Sequence, residues 1–533
     1  MNRSLLVSTT VIAAFTLPVF AVDHHVTTAQ ELQNALTTAA ANAADDSIYL
    51  AAGYYQGNFS FTSAEANSLT IEAEPGLTRG EVTLDGAGVG GALNLSSSAV
   101  SNFVVRRITI ARNCGDANRD ALLISTLGTV QINDLASLAA NQTGRGIHVA
   151  AAASLTIEDS EVSGAGGYIG HGILIEGVGG PITMNRNVVK GNCTYWSTTY
   201  GGGIHISGTS GDNIISLDRN TILNNSNSAG WWGKCGGLYI DGGGGTDLVT
   251  VTNNTITGNS GAYVSNGGGL MISASSLVLS GNQFSSNASY FSGGGCYFSG
   301  GSANILNNSF VSNISLTGTQ WNTEGSALKL DCSGCSVTNN VFRSNSGACV
   351  MSCSGSTATI TSNQFFDNSN GTLLCWGAVN LVSNRFERNS RDNGDMISLG
   401  LNGNATVIGN TILDSRVTPG GRVIGISGSS NNTLNFLRNR VTGGNCGTLN
   451  ASGFGTMLVA DNLLAGNNAP NTEGVGAYLQ PGGQLDLVNN TITGNSGSAG
   501  GGLRINIPGT TEVVHCYNNI IWGNTATGAG SDV

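Results

Sequence analysis

One short phrase recurs along this chain at nearly regular intervals. The stretch VTNNTITGNS at 251–260 returns as VNNTITGNS at 488–496. When the second Asn of the phrase is aligned, Asn occupies all 13 positions from Asn187 to Asn519, in steps of 21 to 34 residues with a mean of about 28. Five residues later Asn returns in 11 of the 13 copies, and Ser415 and Gly444 are the exceptions. A repeat of this length indicates a solenoid, a propeller or an array.

The segments between the Asn positions alternate apolar and polar residues, as in GGGLMIS (267–273) and SSLVLSGNQFSSN (275–287). This period of two predicts short strands with Gly, Asn and Ser at the corners. The unequal steps disfavour a propeller and favour a coil of short strands with one variable loop. We expect the Asn residues to take a left-handed backbone at the corners. We also expect their amides to form a ladder between strands about 4.8 Å apart.

Three early segments carry a resemblance to a known family: DSIYLAAGYY (46–55), SLTIEAEPG (68–76) and VTLDGAG (82–88). With the repeats, they resemble the right-handed parallel β-helix proteins of the pectin-lyase-like superfamily. The closing NNIIWGN (518–524) resembles a motif of bacterial surface proteins with a choice-of-anchor tail. The resemblance implies an all-β, single-stranded right-handed parallel β-helix, for which we predict about 14 coils. It does not imply one activity, because this fold hosts lyases, hydrolases, epimerases, adhesins and structural proteins.

The termini suggest three regions. Residues 1–21 have the basic start, short apolar core and terminal Ala21 of a secretory signal peptide, with an uncleaved anchor as the alternative. Residues 22–45 contain a capping box, Thr28 to Glu31, and predict an amphipathic helix that covers the first coil. Residues 46–533 are the repeats. Their end lacks a comparable cap, so we expect either a fragment or a covering partner.

The composition of the chain excludes some classes of binding partner. The chain has 21 Lys and Arg against 32 Asp and Glu, a net charge of −11, and no basic run, which argues against nucleic-acid binding. No segment after the N-terminus is long and apolar enough to span a bilayer. We expect a secreted or cell-surface monomer with a polysaccharide or cell-surface glycan as its partner.

In a β-helix, one residue of each strand after a Gly run points outward between two inward apolar residues. This rule predicts an outward column rich in polar-tipped side chains. Its members are His148, Leu174, His205, Tyr239, Met271, Tyr297, Lys329, Val350, Leu374, Tyr478 and Arg504.

The loops just before these strands carry aromatic residues, including four of the six Trp. Rings with polar tips suit partly wet contacts with sugars, and in similar pectate lyases this sheet and its loops form the polysaccharide groove. The predicted binding residues from loops and column are Trp196, Tyr200, His205, Trp231, Trp232, Tyr239, Tyr263, Tyr297 and Trp321. The alternatives are that the aromatics pack on one another, and that the protein is a non-catalytic adhesin or structural protein.

No complete catalytic motif is present. Lys329, with Asp331 and Glu324 close in sequence, is the candidate set for a polysaccharide lyase or hydrolase. Asp241 and Asp331 are predicted to point outward about three coils apart, about 14 Å, which is too far for the usual carboxylate pair. No cofactor is expected, although calcium is compatible with lyase chemistry in this superfamily. A mixed-charge stack predicts a solvated ion-pair network, with a calcium or acidic-sugar site as the alternative. Its members are Arg343, Asp367, Arg385, Glu387, Arg388, Arg391, Asp392 and Asp395.

The chain has 11 Cys. LDCSGCS (330–336) and MSCSGS (351–356) align by repeat, which predicts that Cys332 and Cys353 stack on adjacent coils as a candidate disulfide.

Overall fold

The computed structural model describes residues 21–533 except 88–89, 112–119, 168–169, 195–200, 209–211, 229–233, 243–245, 262–265, 317–324, 393, 401, 418–420 and 529; for 139–143 and 470–472 it describes the backbone alone. These residues form a solenoid of parallel strands in which each turn pairs with the turn before and the turn after it. Three stacks of strands run along it, and we call them sheets I, II and III. Sheets I and II merge in five consecutive turns.

Sheet I contains the strands that follow the Gly runs. Its separate strands are Phe59–Ser63, Leu93–Ser97, Asp120–Ser125, Arg145–Ala151, Ile173–Ile175, Ile204–Ile206, Leu238–Asp241, Ile397–Gly400, Arg422–Ser427, Gly447–Ser452, Ala477–Gln480 and Leu503–Ile505. The five strands shared by sheets I and II are Leu270–Ser280, Cys296–Leu306, Leu328–Thr338, Met351–Thr361 and Leu373–Val382.

Sheet II leads into the Asn corner. Its separate strands are Val22–Val26, Asp46–Leu50, Leu69–Ala73, Phe103–Arg106, Thr129–Asn133, Ser154–Glu158, Ile182–Asn185, Ile214–Asp218, Leu248–Thr252, Ala405–Ile408, Thr433–Leu437, Thr456–Ala460, Gln484–Val488 and Val513–Tyr517.

Sheet III follows the corner. Its strands are Gly53–Gln56, Val82–Asp85, Thr109–Ala111, Ala136–Thr143, Glu161–Gly166, Val188–Lys190, Thr221–Leu223, Thr255–Thr257, Gln283–Ser285, Ser309–Val311, Val341–Arg343, Gln364–Phe366, Arg385–Glu387, Thr411–Leu413, Arg440–Thr442, Leu463–Ala465, Thr491–Thr493 and Ile520–Trp522.

Shorter strands lie between sheet III and the Gly runs: Cys193–Thr194, Ser226–Asn227, Ser260–Gly261, Ala288–Ser289, Ile314–Ser315, Ser390–Arg391, Arg416–Val417, Asn468–Glu473, Ser496–Ala499 and Thr525–Ala526. The helices are Ala29–Ala39, which is α-helical, and Arg79–Glu81, a single 3-10 turn.

The described strands make about 17 turns, so the prediction of about 14 coils was too low. The difference lies at the front, where five sheet III strands, from Gly53–Gln56 to Glu161–Gly166, precede the first ladder Asn. Those turns close their corners without Asn; in one of them Ser160 takes its place and its backbone N–H donates to Asn187.

Two amide ladders stabilise the corners, one continuous and one interrupted. In the first, each Asn donates from Nδ2 to Oδ1 of the next, as from Asn254 to Asn282 at 3.0 Å. The ladder runs from Asn187 to Asn519 with amide-to-amide distances between 2.9 and 3.2 Å. The second runs from Asn192 to Asn389, breaks at Ser415 and Gly444, and resumes at Asn467. The predicted ladders are therefore confirmed.

The predicted left-handed backbone of the ladder Asn was wrong. Positive φ belongs to the residue just before each one, such as Asn253 (55°) and Asn307 (56°). The two residues have separate roles. The left-handed residue turns the chain, and the Asn that follows can then point its amide inward to hydrogen-bond with the neighbouring turns.

The core fills the interior along the whole stack. Sheet III contributes a run of parallel Phe rings, with centroids 4.6–4.9 Å apart and interplanar angles of 3–6°. The rings belong to Phe284, Phe310, Phe342, Phe365 and Phe386, all fully buried.

The helix Ala29–Ala39 closes the front of the solenoid. Thr28 and Glu31 form the predicted capping box, with Thr28 Oγ1 accepting from the Glu31 N–H at 3.2 Å. Leu32 and Leu36 are fully buried against the first turns. The structure differs in one detail, because Val22–Val26 precedes the helix and already pairs with Asp46–Leu50 in sheet II. No helix in the described part of the chain is long and apolar enough to cross a membrane.

Candidate functional site

The outward face of sheet I is the predicted site, and strand register fixes its column. Register places in one line Ser60, Asn94, Leu123, His148, Leu174, His205, Tyr239, Met271, Tyr297, Lys329, Ser352, Leu374, Ser398, Gly425, Asn450, Tyr478 and Arg504. Val350 does not belong to it: Ser352 pairs with Lys329, and Val350 is fully buried. The Gly run of that turn is short, and for this reason the sequence alignment placed the outward position two residues too early, at Val350 instead of Ser352.

The middle of the column is covered. His205, Tyr239 and Met271 are 8%, 2% and 8% exposed. Cys235, from the segment before the strand, packs with Tyr239 and Met271 in a small apolar cluster outside the main core. This part of the face is therefore an interior contact between sheet I and the chain that precedes each strand.

Tyr239 is held by charged groups at both of its sides. Lys234 Nζ donates to the Tyr239 hydroxyl at 3.2 Å and lies 5.2 Å from the ring centroid. The hydroxyl in turn donates to Asp241 Oδ2 at 3.2 Å. Lys234 thus bridges the covering segment to the sheet.

The same three residue types meet again farther along the column, in what we call the Tyr297 cluster: Tyr297, Lys329, Asp331 and Ser354. Tyr297 Oη donates to Asp331 Oδ2 at 2.8 Å, and Lys329 Nζ lies 3.9 Å from that oxygen. Ser354 Oγ donates to the other carboxylate oxygen. Burial, and then the contact with Asp331, raises the pKa of Tyr297 above its usual value. The cluster therefore presents a neutral phenol, an ammonium and a carboxylate in one fixed array.

Asp241 and Asp331 lie on the same outward column, separated by Ser273 and Ser299. Three strand spacings correspond to about 14 Å. The register thus agrees with the sequence argument that these two carboxylates do not form a catalytic pair.

Two buried histidines lie beside the covered part of the column. His171 Nδ1 donates to the Gly201 carbonyl at 2.6 Å, and its ring lies 5.3 Å from that of His205. Burial lowers the pKa of His171 to about 4. Burial, followed by the nearby His171 and Lys234, lowers the pKa of His205 to about 3. Both imidazoles are neutral at pH 7, so neither supplies positive charge to the face.

Sequence reasoning missed an ionic network on earlier turns. His148 Nδ1 contacts Asp120 Oδ2 at 2.7 Å, and its Nε2 contacts Glu176 Oε2 at 3.0 Å. Arg145 also donates to Asp120 at 3.0 Å. A shallow cavity of about 270 Å³ adjoins Asp120. No short motif could reveal this network, because its members come from different turns.

Trp376 was also missed, because it lies in a strand and not in a loop. It points outward from sheet I and is 48% exposed. Register places it beside Ser354 of the Tyr297 cluster, and Gly400 lies on its other side.

Most of the predicted aromatic loop residues lie outside the described residues. They are Trp196, Tyr200, Trp231, Trp232, Tyr263 and Trp321, together with the candidate Glu324. Of the predicted catalytic set, the structure brings Lys329 and Asp331 together.

The predicted stacking of Cys332 on Cys353 was wrong in register. Cys353 pairs with Leu330 and Cys375, whereas Cys332 lies beside Gly300. The sulfurs meet through Cys335, whose thiol contacts those of both Cys332 and Cys353. All are buried and free. Hydrogen bonding to Cys335 and then burial raise the pKa of Cys332. Hydrogen bonds to Cys353 and Cys375, and then burial, raise the pKa of Cys335 and Cys353, so these thiols are protonated at neutral pH.

Part of the mixed-charge stack forms surface ion pairs, whereas Asp395 is largely buried and accepts from the Arg422 backbone N–H at 3.0 Å. Arg388 Nε contacts Asp367 Oδ1 at 2.7 Å, and Arg385 contacts Glu387 at 2.6 Å. Among the described residues, no group of three or more His, Cys, Asp or Glu is arranged to hold a metal ion. Of the two interpretations of this stack, a solvated ion-pair network and a calcium or acidic-sugar site, the exposed pairs fit the first.

Comparison with known proteins agrees with the fold. The family described as "Right handed beta helix region" matches residues 202–390, about a third of the chain. The stacked parallel turns define the class of the molecule, an all-β parallel solenoid, and the matched segment of its middle is similar to right-handed β-helices. The matched segment runs from the covered part of the sheet I column through the Tyr297 cluster and Trp376.

Two of the solved structures with similar chains are polysaccharide lyases of family 6. One is a mannuronic acid specific enzyme from human gut microbiota, with 10% identity, a TM-score of 0.23, and coverage of 78% of this chain and 86% of that one. Another is the alginate lyase AlyGC, with 10% identity, a TM-score of 0.19, and coverage of 95% and 100%. No curated protein matches the chain. Similarity at this level carries no argument about function.

Proposed function

We propose that the protein is exported and binds an extracellular or cell-surface polysaccharide through the outward face of sheet I and the aromatic loops beside it. The Tyr297 cluster is the observation that carries the proposal. Its groups come from neighbouring strands: the hydroxyls of Tyr297 and Ser354 donate hydrogen bonds to the Asp331 carboxylate, and the Lys329 ammonium forms an ion pair with it. Fixed groups on a rigid scaffold lose little entropy when a ligand binds.

The geometry of the face suits a polymer. Outward side chains repeat at the strand spacing of about 4.8 Å along the solenoid, so a chain laid along the column meets one new side chain at every turn. Sugar hydroxyls both donate and accept hydrogen bonds. The cluster can match them, because the Lys329 ammonium donates, the Asp331 carboxylate accepts and the hydroxyls of Tyr297 and Ser354 can do either. Exposure rises along the face after Met271: the side chains of Lys329 and Asp331 are 13% and 30% exposed, and Trp376 is 48% exposed.

A polysaccharide panel tests the proposal. The wild-type protein and an Asp331→Asn variant are applied to immobilised neutral and acidic polysaccharides, with calcium and with a chelator. We expect wild-type binding and a loss of about tenfold in affinity for the variant, since the cluster loses its negative charge and one of its two acceptor oxygens. Arg388→Ala, in an exposed pair of the mixed-charge stack, is the control.

A Trp231→Ala, Trp232→Ala variant tests the loop part of the proposal in the same panel. If the wild-type protein binds none of the polysaccharides, the proposal is wrong, and a surface protein without a glycan ligand becomes the better description. If the Asp331→Asn and Arg388→Ala variants lose affinity equally, the cluster is not the binding site.

A further inference from the structure

The indole ring of Trp376 packs over a glycine of the next turn. Its register partner on the next turn is Gly400. A Cβ atom on Gly400 would lie 2.5 Å from Cζ3 and 2.8 Å from Cε3 of the indole, so the six-membered ring occupies the space that any larger residue would fill. The ring therefore lies against bare backbone while the residue remains 48% exposed.

A β-bulge lies directly beside this side chain in the sheet. Between Ser354 and Thr357 the register shifts, so that two residues of one strand oppose Gly377 alone on the next. Gly377 has a φ of +100°, and a Cβ there would lie 2.0 Å from the Gly355 carbonyl oxygen, so only Gly fits. Bulges commonly redirect a neighbouring side chain at a functional site. Here the bulge directly follows Trp376.

Along its own column, the residues that follow Trp376 are small and uncharged. The outward column continues from Gly400 to Ser427 and Ser452, which are small. The turns at 400–404 and 427–432 contain no charged residue. In this column the nearest charge is Asp331, two turns away, which pairs with Lys329 of the adjacent column. On the other side, the carboxylate of Asp395 lies against Gly425 of that adjacent column, also two turns away. Along Gly400, Ser427 and Ser452 an extended ligand can therefore pass from the indole without meeting a large side chain of this column.

We infer that Trp376, supported by Gly400, is a subsite for a pyranose ring of a neutral polysaccharide, with the Tyr297 cluster binding hydroxyls farther along the same chain. The inference rests on the proposed function and adds its ligand class. A pyranose ring has a face of C–H groups that stacks on an exposed indole, and Trp supplies such area at low entropic cost.

Charge decides between neutral and acidic chains. The protein carries a net charge of −11, and described cations of this face already have partners: Lys329 lies beside Asp331, Arg504 beside Glu473, and Lys234 donates to the Tyr239 hydroxyl. A polyanion would approach against the field of the whole molecule. A neutral chain avoids that repulsion and loses nothing at the Trp376 surface.

Binding is measured by titration calorimetry with oligosaccharides of glucose and with uronic-acid oligosaccharides of the same length. We expect the wild-type protein to prefer the glucose series and Trp376→Ala to lose about tenfold or more in affinity, as central Trp residues of binding sites do. Gly400→Ala should also weaken binding, because its new methyl group displaces the ring; Gly400 has an ordinary φ, so the substitution adds no backbone strain.

Trp522→Ala is the matched control. Trp522 is 73% exposed but lies on sheet III of the last turn, so its loss should leave affinity unchanged. Circular dichroism and thermal unfolding establish that each variant is folded, and quenching of indole emission by the ligand, absent in Trp376→Ala, gives a second readout.

The outcomes are distinct. If Trp376→Ala binds the glucose series as the wild-type protein does, the subsite is wrong while glycan binding stands. A preference for the uronic-acid series overturns the ligand class. If neither series nor any polysaccharide of the panel binds the wild-type protein, the proposed function fails together with the subsite.

Discussion

A single ladder Asn satisfies several buried groups at once. Asn308 donates to Asn340 Oδ1 and to the Leu279 carbonyl, and its Oδ1 accepts from both the backbone and the side chain of Asn282. Removing the amide leaves these partners without water or protein to replace it, and each unsatisfied buried group costs about 1–3 kcal/mol.

We therefore expect Asn308→Ala to lower the free energy of unfolding by about 2–4 kcal/mol in guanidinium titrations. The control is Ser415→Ala, at the natural gap of the second ladder, where the hydroxyl makes one long contact of 3.4 Å to the Leu413 carbonyl. Equal losses for the two variants would show that the ladder adds nothing beyond burial.

His171 and His205 give the protein an acid sensitivity. Their pKa values of about 4 and about 3 lie below that of an unfolded His, near 6.5. Between pH 6.5 and about 4 these histidines are protonated in the unfolded chain but not in the folded chain, so the free energy of unfolding falls as the pH falls. Lowering the pH from 7 to 5 should cost about 2 kcal/mol per histidine.

Carboxylates also titrate in this range, so the measurement is a comparison of slopes. Guanidinium unfolding is followed from pH 7 to 5 for the wild-type protein and for His171→Gln, His205→Gln. We expect a clearly flatter dependence in the double variant. An unchanged slope would mean that the two imidazoles take up protons in the folded state.

At the scale of elements, the Phe stack of sheet III is the main regular packing unit. Phe342 lies between Phe310 and Phe365, with ring centroids 4.9 and 4.6 Å away. Phe342→Ala should destabilise the protein by about 3–5 kcal/mol, the usual cost of a Phe-sized cavity. Phe342→Leu keeps most of the volume and should cost less than half as much, as measured by chemical unfolding. Equal costs would indicate that ring stacking, rather than cavity volume, dominates.

The elements also show why some features were predictable. Asn ladders and inward Phe positions repeat with the strand period, so the chain displays them directly. The early turns lack the Asn phrase and were undercounted; Ser160 stands at a corner where later turns have Asn. The covering of Tyr239 by Cys235 and the placement of Trp376 over Gly400 depend on contacts between segments, which no periodicity records.

At the scale of the whole molecule, stability should vary along the axis, because each turn of a solenoid contacts only its neighbours. The first turns are closed by the helix Ala29–Ala39. In the last turn of this chain, Ile520, Tyr517 and Val513 are 60%, 57% and 48% exposed, so its apolar residues are only partly packed. Strands there also bond to a neighbour on one side, as Val513–Tyr517 does to Gln484–Val488.

Hydrogen exchange followed by mass spectrometry should therefore show a gradient. Backbone amides of Leu270–Ser280 and Cys296–Leu306, which pair with strands on both sides, should exchange most slowly. Those of Ile520–Trp522 should exchange faster, since opening the last turn breaks contacts with one neighbour alone. Asn308→Ala should speed exchange chiefly in the turns that contact it, leaving the front turns unchanged. Uniform exchange along the chain, or a uniform response to this variant, would mean that the solenoid unfolds as one cooperative unit.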